Sequence, residues 1–482
     1  MDCGCPMPSP RMRVKELLFS ACLVISAIAF ITKAALSMPT DDRADLPLIK
    51  SSIIAYNAEH HKKSLSDDSY RGEEGILLIR PEVARSLGLN VFINPDYLKA
   101  KELYERAEEL LGKTVEAMKT QKKEKLPGEH VQEVYETAVL YNKTLKSARK
   151  HMAAYRASLT PGTDDRLNPG ICSELLEKLL RECLNGASHN LREALGCFYN
   201  KCQDLDGGGA PLNPENMEFV NHVFREFLEK AEESSKESFD LDRQNQDPAS
   251  HTTDYGSEWK HVVGDVGSHY VALLEPVLKD EEKAGYSVDP LLLFALIKQE
   301  SDFDPRAVSD VGAVGLTQII PETAKDLGMI TIFMPEYLDE AKSFMGKERR
   351  LKRQAMALIR GIANESMLES AAKARQLMQE ALDLGQGWKM LYARYRQELL
   401  KENKDDRLDP VKAIKHGLRY FVTMMRMHEG DISLALAAYN AGPHRVKQYG
   451  GIPPFAETIL FRNNVLGYYR DYRLKLKETG TP

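Results

Sequence analysis

The sequence predicts a mainly α-helical protein made of two tandem copies of one fold, each with an inserted helical hairpin. Three observations predict it. Apolar residues recur at spacings of three and four through most of the chain, and the strict alternation of a half-buried strand is scarce. The stretch GEEGILLIRPEVARSLGL at 72–89 returns as GAVGLTQIIPETAKDLGM at 312–329, identical at eight of 18 positions, where ordinary residue frequencies give about one. Both halves also hold an interior stretch, about 101–161 and about 341–403, dense in Ala, Leu, Glu, Lys and Arg, the composition of amphipathic hairpins.

The chain begins with Arg11, Arg13 and Lys15 ahead of the apolar run 17–31, and small residues at 35–37 offer a cleavage point. This is the layout of an export signal, predicted over 1–37. An uncleaved anchor helix is the alternative, against which the run is short for a bilayer span. A lipoprotein signal ending at Cys22 has too little apolar sequence before the cysteine. Removing the four basic and two acidic side chains of 1–37 moves the net charge from -6 to -8. That balance gives no electrostatic reason to expect nucleic acid as a partner.

The first copy follows, over 38–230. Its match to the second extends beyond the quoted stretch: Ser69 falls on Ser309, Tyr97 on Tyr337, and Tyr155 and Arg156 on Tyr395 and Arg396. DDRLNP at 164–169 matches DDRLDP at 405–410, and Tyr199-Asn200 matches Tyr439-Asn440. A period of about 240 residues is too long for a solenoid unit and signals duplication of a whole domain. With 482 residues, the chain is also too long for one ordinary core.

Export would leave Cys172, Cys183, Cys197 and Cys202. An even number in an exported chain favours disulfides over a metal. Two antiparallel helices turning near 185–188 would pair Cys172 with Cys202 and Cys183 with Cys197; unpaired buried thiols are the alternative. The polar stretch 231–260, nearly free of aliphatic residues, reads as the linker to the second copy, 261–482.

The second copy opens with Pro290 at a first-turn position and the apolar run 291–297, a buried helix ending near Glu300. A carboxyl group there is partly desolvated, which raises its pKa and suits a general acid. Position alone equally describes a surface glutamate.

ESDFDPRAVSDVGAVGLTQIIPETA from Glu300, then LAAYNAGPHRV, then PFAETILF stand in an order that resembles the lytic transglycosylase family. The resemblance covers most of 286–472 outside the hairpin. It implies a goose-type-lysozyme-like fold. It also implies cleavage of the bond between N-acetylmuramic acid and N-acetylglucosamine in peptidoglycan without water, closing a 1,6-anhydro ring. Glu300 becomes the single acid and then base, with Ser301, which the resemblance also sets against the sugar, and the supporting Phe303 completing its motif. Ser309 and Gln318 match positions that face the sugar, Tyr439 and Asn440 match residues that border the glutamate, and Glu457 matches a supporting acid. Thr317 departs from a frequent methionine and Phe461 from a frequent tyrosine. The family needs no cofactor.

Asp302, Asp304 and Glu322 sit where turns and helix starts readily explain acids. Should one of them position water, the outcome becomes hydrolysis by a muramidase.

Across from Glu300 the first copy reads YNAEHHKK, which sets either Glu59 or His60 opposite the acid and lacks the motif's serine and phenylalanine. Leu78 replaces Gln318. Glu59, His60 and His61 are adjacent on one helix and diverge, so no metal site is expected. The first copy therefore reads as a retained fold with altered chemistry. The expected whole is an exported, periplasmic enzyme acting on glycan strands, with the hairpins open to a protein partner. A non-catalytic wall-binding scaffold is the competitor from another class.

Overall fold

A computed structural model of the chain describes residues 45–66, 69–120, 127–187, 190–203, 211–237, 259–283, 288–362 and 367–478. The export signal expected over 1–37 and most of the expected linker, 238–258, lie outside these residues. Among the described residues the protein is helical, with only isolated β-bridges, and no described helix is long and apolar enough to cross a membrane.

The first copy supplies α1 (Leu46–Ser66), α2 (Pro81–Ser86), α3 (Pro95–Lys119), α4 (Pro127–Ala157), α5 (Pro169–Gly186), α6 (Leu191–Gln203) and α7 (Met217–Glu237). Short helices α8 (Trp259–Val262), α9 (Gly264–Ser268) and α10 (Val271–Lys283) begin the second copy. That copy contains α11 (Pro290–Ser301), α12 (Pro321–Asp326), α13 (Tyr337–Gly361), α14 (Leu368–Glu402), α15 (Pro410–Met427), α16 (Ile432–Ala441), α17 (Pro443–Tyr449) and α18 (Ala456–Glu478). From α11 on, the helix order of the first half recurs in the second, with α17 added. The hairpins expected from composition are α3–α4 and α13–α14.

Two compact units result, and they cut across the sequence repeat. One comprises the described residues of Met1–Glu59, Ser173–Asp254 and Tyr420–Tyr468, the other those of His60–Cys172, Tyr255–Arg419 and Tyr469–Pro482.

In the second of these units the two hairpins pack on each other. Ala117, Met118, Val134 and Ala138 from the first meet Ala355, Ile359, Ala374 and Met378 from the second in one apolar cluster. The alanines let the helices approach, and polar groups close the ends. Asn142 donates to the carbonyls of Ile359 at 3.1 Å and Ile362 at 2.8 Å, satisfying acceptors that the end of α13 would otherwise leave exposed. Gln379 donates to the carbonyl of Met118. The apolar faces at these hairpin ends are therefore covered within the chain.

In the first unit Arg462 of α18 is 2% exposed and donates to Ser433, to Glu193 of the first copy and to Asn463. Asn221 of α7 exchanges two hydrogen bonds with the backbone of Ile452. The same unit contains the Cys183–Cys197 disulfide, as the turn between α5 and α6 led one to expect.

The second expected bridge is not formed: Cys172 and Cys202 are free and buried. Cys172 Sγ instead donates to the carbonyls of Asp165 and Arg166, both at 3.4 Å. Burial pushes both thiols up, Cys172 to about 11 and Cys202 to about 12, so neither is a reactive thiolate at neutral pH. The formed bridge closes a 14-residue separation. Its reduction should cost about 3 kcal/mol of stability by loop entropy, read as a lower denaturation midpoint in a reducing buffer.

Candidate active site

Helix α11 is built to deliver Glu300 at its end. Asp289 caps it by accepting from the amide of Leu291, Pro290 fits the first turn, and residues 291–297 are all buried. Asp289 is itself held by Tyr469 Oη at 2.6 Å and Arg473 Nη1 at 3.0 Å. The helix stops because Asp302 and Phe303 turn into the left-handed region, with φ of 48° and 63°. Glu300 is left half-buried.

Ser301 and Phe303 fix that ending. Ser301 Oγ bonds to the carbonyl of Ile297 at 3.2 Å and to that of Leu316 at 3.0 Å, tying the helix to the following turn. Phe303, 4% exposed, stacks on Tyr270 at 6.1 Å and leans on Phe294, while Tyr270 Oη donates to its carbonyl. Ser301 was expected to meet the sugar. Its hydroxyl bonds to the backbone, and this ties down the helix end that carries Glu300. Ser301→Ala should cost about 1 kcal/mol in urea denaturation, and it should lower turnover far less than loss of the carboxyl.

The turn that receives Ser301 runs through 308–319. Ser309 Oγ accepts from the amides of Val311 and Ala313. Gln318, at φ 45°, donates to the carbonyls of Ala307 at 3.1 Å and Gly315 at 2.8 Å. Gly315 has φ 80°, and a Cβ there would collide with the carbonyl oxygen of Arg407. Thr317 is 2% exposed, donates to the carbonyl of Ala413 at 3.0 Å and packs against Gly417. At this position the departure from a frequent methionine is met by packing against α15.

Beneath the turn lies Arg407 of the repeated DDRL text, 1% exposed. It pairs with Asp405 at 2.6 Å, donates to Tyr395 Oη at 2.6 Å, and reaches the carbonyls of Gly312 and Ile319 at 3.3 and 3.1 Å. The first copy repeats the arrangement: Arg166 pairs with Asp164 and donates to Tyr155 Oη and to the carbonyls of Gly72 and Ile79. Sequence reasoning noted this motif as part of the repeat and assigned it no role. The signal was there: an arginine kept directly after two aspartates in both copies.

Asp406 holds the neighbouring loop by accepting from the amides of Ile330 and Thr331 and pairing with Lys412 at 2.7 Å. Burial alone would raise its pKa, but these donors leave it below the ordinary carboxylate value. A depressed folded pKa stabilises above the unfolded pKa and ceases to do so as pH falls through the folded one. Asp406→Asn should therefore flatten the loss of stability on the acid side, measured by denaturation from neutral pH downward.

The nearby acids have local partners. Asp302 pairs with Lys298 at 2.8 Å, Asp304 accepts from the amide of Arg306, and Glu322 pairs with Lys342.

The other matched residues belong to the first unit. Tyr439, 8% exposed on α16, lies parallel to Phe461 at 6.5 Å and contacts Tyr420 and Phe421. Asn440 Oδ1 accepts from Thr458 Oγ1 at 2.7 Å, which joins α16 to the first turn of α18. Glu457 in that turn is exposed. Phe461, in place of a frequent tyrosine, supplies a ring to the stack.

The first copy keeps the turn and loses the helix ending. Gly72, Gly75 and Leu78 have φ of 98°, 76° and 52°, beside 82°, 80° and 45° for Gly312, Gly315 and Gln318. Yet α1 continues to Ser66 through Glu59, His60 and His61, with no left-handed break where the second copy presents its glutamate.

Residues 278–345 and 339–461 match the Transglycosylase SLT domain family, in two segments that meet at the inserted hairpin. The match spans 184 of the 482 residues of the chain. A 52-residue stretch is 44% identical to a transglycosylase of Enterobacteria phage PRD1, covering 11% of this chain and 20% of the phage protein's length. Among solved structures, the 70 kDa soluble lytic transglycosylase of Escherichia coli matches with 16% identity and a TM-score of 0.26, covering 79% of this chain and 62% of that one. The lytic transglycosylase Slt of Pseudomonas aeruginosa, in an inactive mutant form, matches with 14% identity and a TM-score of 0.25, over 90% and 74%. Scores this low say nothing about function. The SLT assignment rests on the motifs around Glu300 and on the family match.

Proposed function

We propose that the SLT copy cleaves the β-1,4 bond between N-acetylmuramic acid and N-acetylglucosamine of peptidoglycan without water. Glu300 first gives its proton to the glycosidic oxygen as the bond from muramic acid C1 breaks, and the N-acetylglucosamine 4-hydroxyl leaves. The resulting carboxylate then takes the proton of the muramic acid C6 hydroxyl, whose oxygen bonds C1 and closes the 1,6-anhydro ring. The proton inventory of the enzyme is restored, and no second carboxylate is required, unlike the paired acids of ordinary glycosidases.

One observation carries this reading: a half-buried carboxyl at the end of a buried helix, held by Ser301 and Phe303, within a match to the SLT family. Ser301, Ser309, Gln318, Tyr439 and Asn440 are assigned to glycan binding, and Phe303 and Glu457 to support. In this reading residues 1–37 direct export to a periplasm and are removed, and residues 38–230 form a copy that binds glycan or positions the active one. Peptidoglycan digestion followed by mass analysis of the soluble products tests the reaction. Anhydro ends are expected. Products heavier by one water make the protein a muramidase, and no soluble product at all makes it a wall-binding scaffold.

A further inference from the structure

The SLT match begins at residue 278, and the chain ahead of it grips the end of α11 through Tyr270, which stands between α9 and α10. Its amide donates to the carbonyl of Gly267 at 3.0 Å, and its carbonyl accepts from the amides of Leu273 and Leu274, both at 3.1 Å, with Leu274 buried. Tyr270 is thus held by its own backbone, which leaves its ring and hydroxyl to act on a neighbour. The ring stacks on Phe303 at 6.1 Å with 13° between the planes, and the hydroxyl donates to the carbonyl of Phe303 at 3.2 Å. Gly267 leaves room for this contact: a Cβ there would lie 3.0 Å from Phe303 Cζ and 3.2 Å from the side chain of Val263. Burial, and then the carboxylate of Asp304, raise the Tyr270 pKa, so its hydroxyl is a donor at neutral pH.

The gripped segment is a strained one. Asp302 and Phe303 are consecutive non-glycine residues at φ of 48° and 63°, a conformation that L side chains avoid. Such a turn persists only where its surroundings over-determine it. It directly follows the helix end that carries Glu300, so relaxing it would let the helix run on and displace the carboxyl. The first copy has the relaxed form. Setting His60 or Glu59 opposite Glu300 puts Lys63 or Lys62 opposite Phe303; both lysines are exposed, and α1 runs on to Ser66 with no left-handed residue. The aromatic ring and the break in the helix are absent together.

We propose that Tyr270 is a positioning residue for Glu300: acting through Phe303, it holds the left-handed turn that fixes where the carboxyl stands. This role rests on the reading of Glu300 as acid and base, and Tyr270 itself touches no reacting atom.

Initial rates on soluble, uncrosslinked peptidoglycan strands over a range of concentrations test it, for the full chain as wild type, Tyr270→Leu, Tyr270→Phe and Gly267→Ala, with Glu300→Gln as the control for the reaction. Tyr270→Leu should lower kcat at least about tenfold while KM stays within about twofold, because a slightly displaced carboxyl impairs proton transfer more than glycan binding. Tyr270→Phe keeps the ring and should recover kcat to within about threefold of the wild type. Gly267→Ala presses a methyl against the Phe303 ring and should lower kcat at least about threefold at an unchanged denaturation midpoint, which carries the test if the leucine variant misfolds. Unchanged kcat in Tyr270→Leu or, where that variant misfolds, in Gly267→Ala, with Glu300→Gln inactive, overturns the proposal and spares the reaction. A fall in kcat matched by a higher KM and a lower midpoint makes Tyr270 a packing residue only and also overturns it. Turnover retained in Glu300→Gln removes the reaction, and the positioning role with it.

Discussion

Glu300→Gln should release soluble muropeptides from purified peptidoglycan at least about 100-fold more slowly than the wild type, the lower bound for losing a positioned acid-base group. The amide keeps the size and much of the hydrogen bonding of the carboxyl but has no proton to give the leaving oxygen. One group serves both steps, so the loss extends to ring closure. Folding should be undisturbed. Glu300 is half-buried at the helix end, and the fixed geometry around it comes from Ser301, Phe303 and the turn at 308–319. Turnover within a few-fold of wild type would remove Glu300 from the reaction. A matched loss of turnover and of thermal stability would mean that the side chain is structural.

Arg407→Leu should destabilise the protein by about 3–5 kcal/mol, the range for breaking a buried ion pair from one side. The substitution leaves Asp405 buried without its cation and strips donors from Tyr395 and from the carbonyls of Gly312 and Ile319. Lysine should recover only part of the loss, because a single ammonium cannot reproduce the forked contacts of a guanidinium. Urea denaturation provides the measurement. A change below about 1 kcal/mol would show that the turn is held mainly by its own backbone bonds. Activity should fall with stability, since this arginine underlies the turn that anchors Ser301.

The helical class, the repeat and the two hairpins were legible because they rest on spacing and composition, which one chain displays in full. Glu300, Ser301 and Phe303 were legible as a contiguous motif. Less could be read where a role depends on residues far apart in sequence. The bond from the Ser301 hydroxyl to the carbonyl of Leu316 was not legible, because its acceptor is a backbone atom that no motif records. Arg407 is bonded to Tyr395 and to the backbone of Gly312 and Ile319 as well as to its neighbour Asp405. Cys172 and Cys202 suggested a bridge by count, and nothing in the count reveals that one of them donates to backbone carbonyls instead. Thr317 could be flagged as unusual, but not placed against Gly417.

The sharing of helices between copies bears on how the molecule can be taken apart. Asn142 grips Ile359 and Ile362, Asn221 grips Ile452, and Glu193 holds Arg462, so each half of the polypeptide finishes the interior of the other. A protease nick between 238 and 258 should leave two fragments that copurify, and neither fragment made alone should fold cooperatively. Duplication has here produced partners that can no longer be divorced.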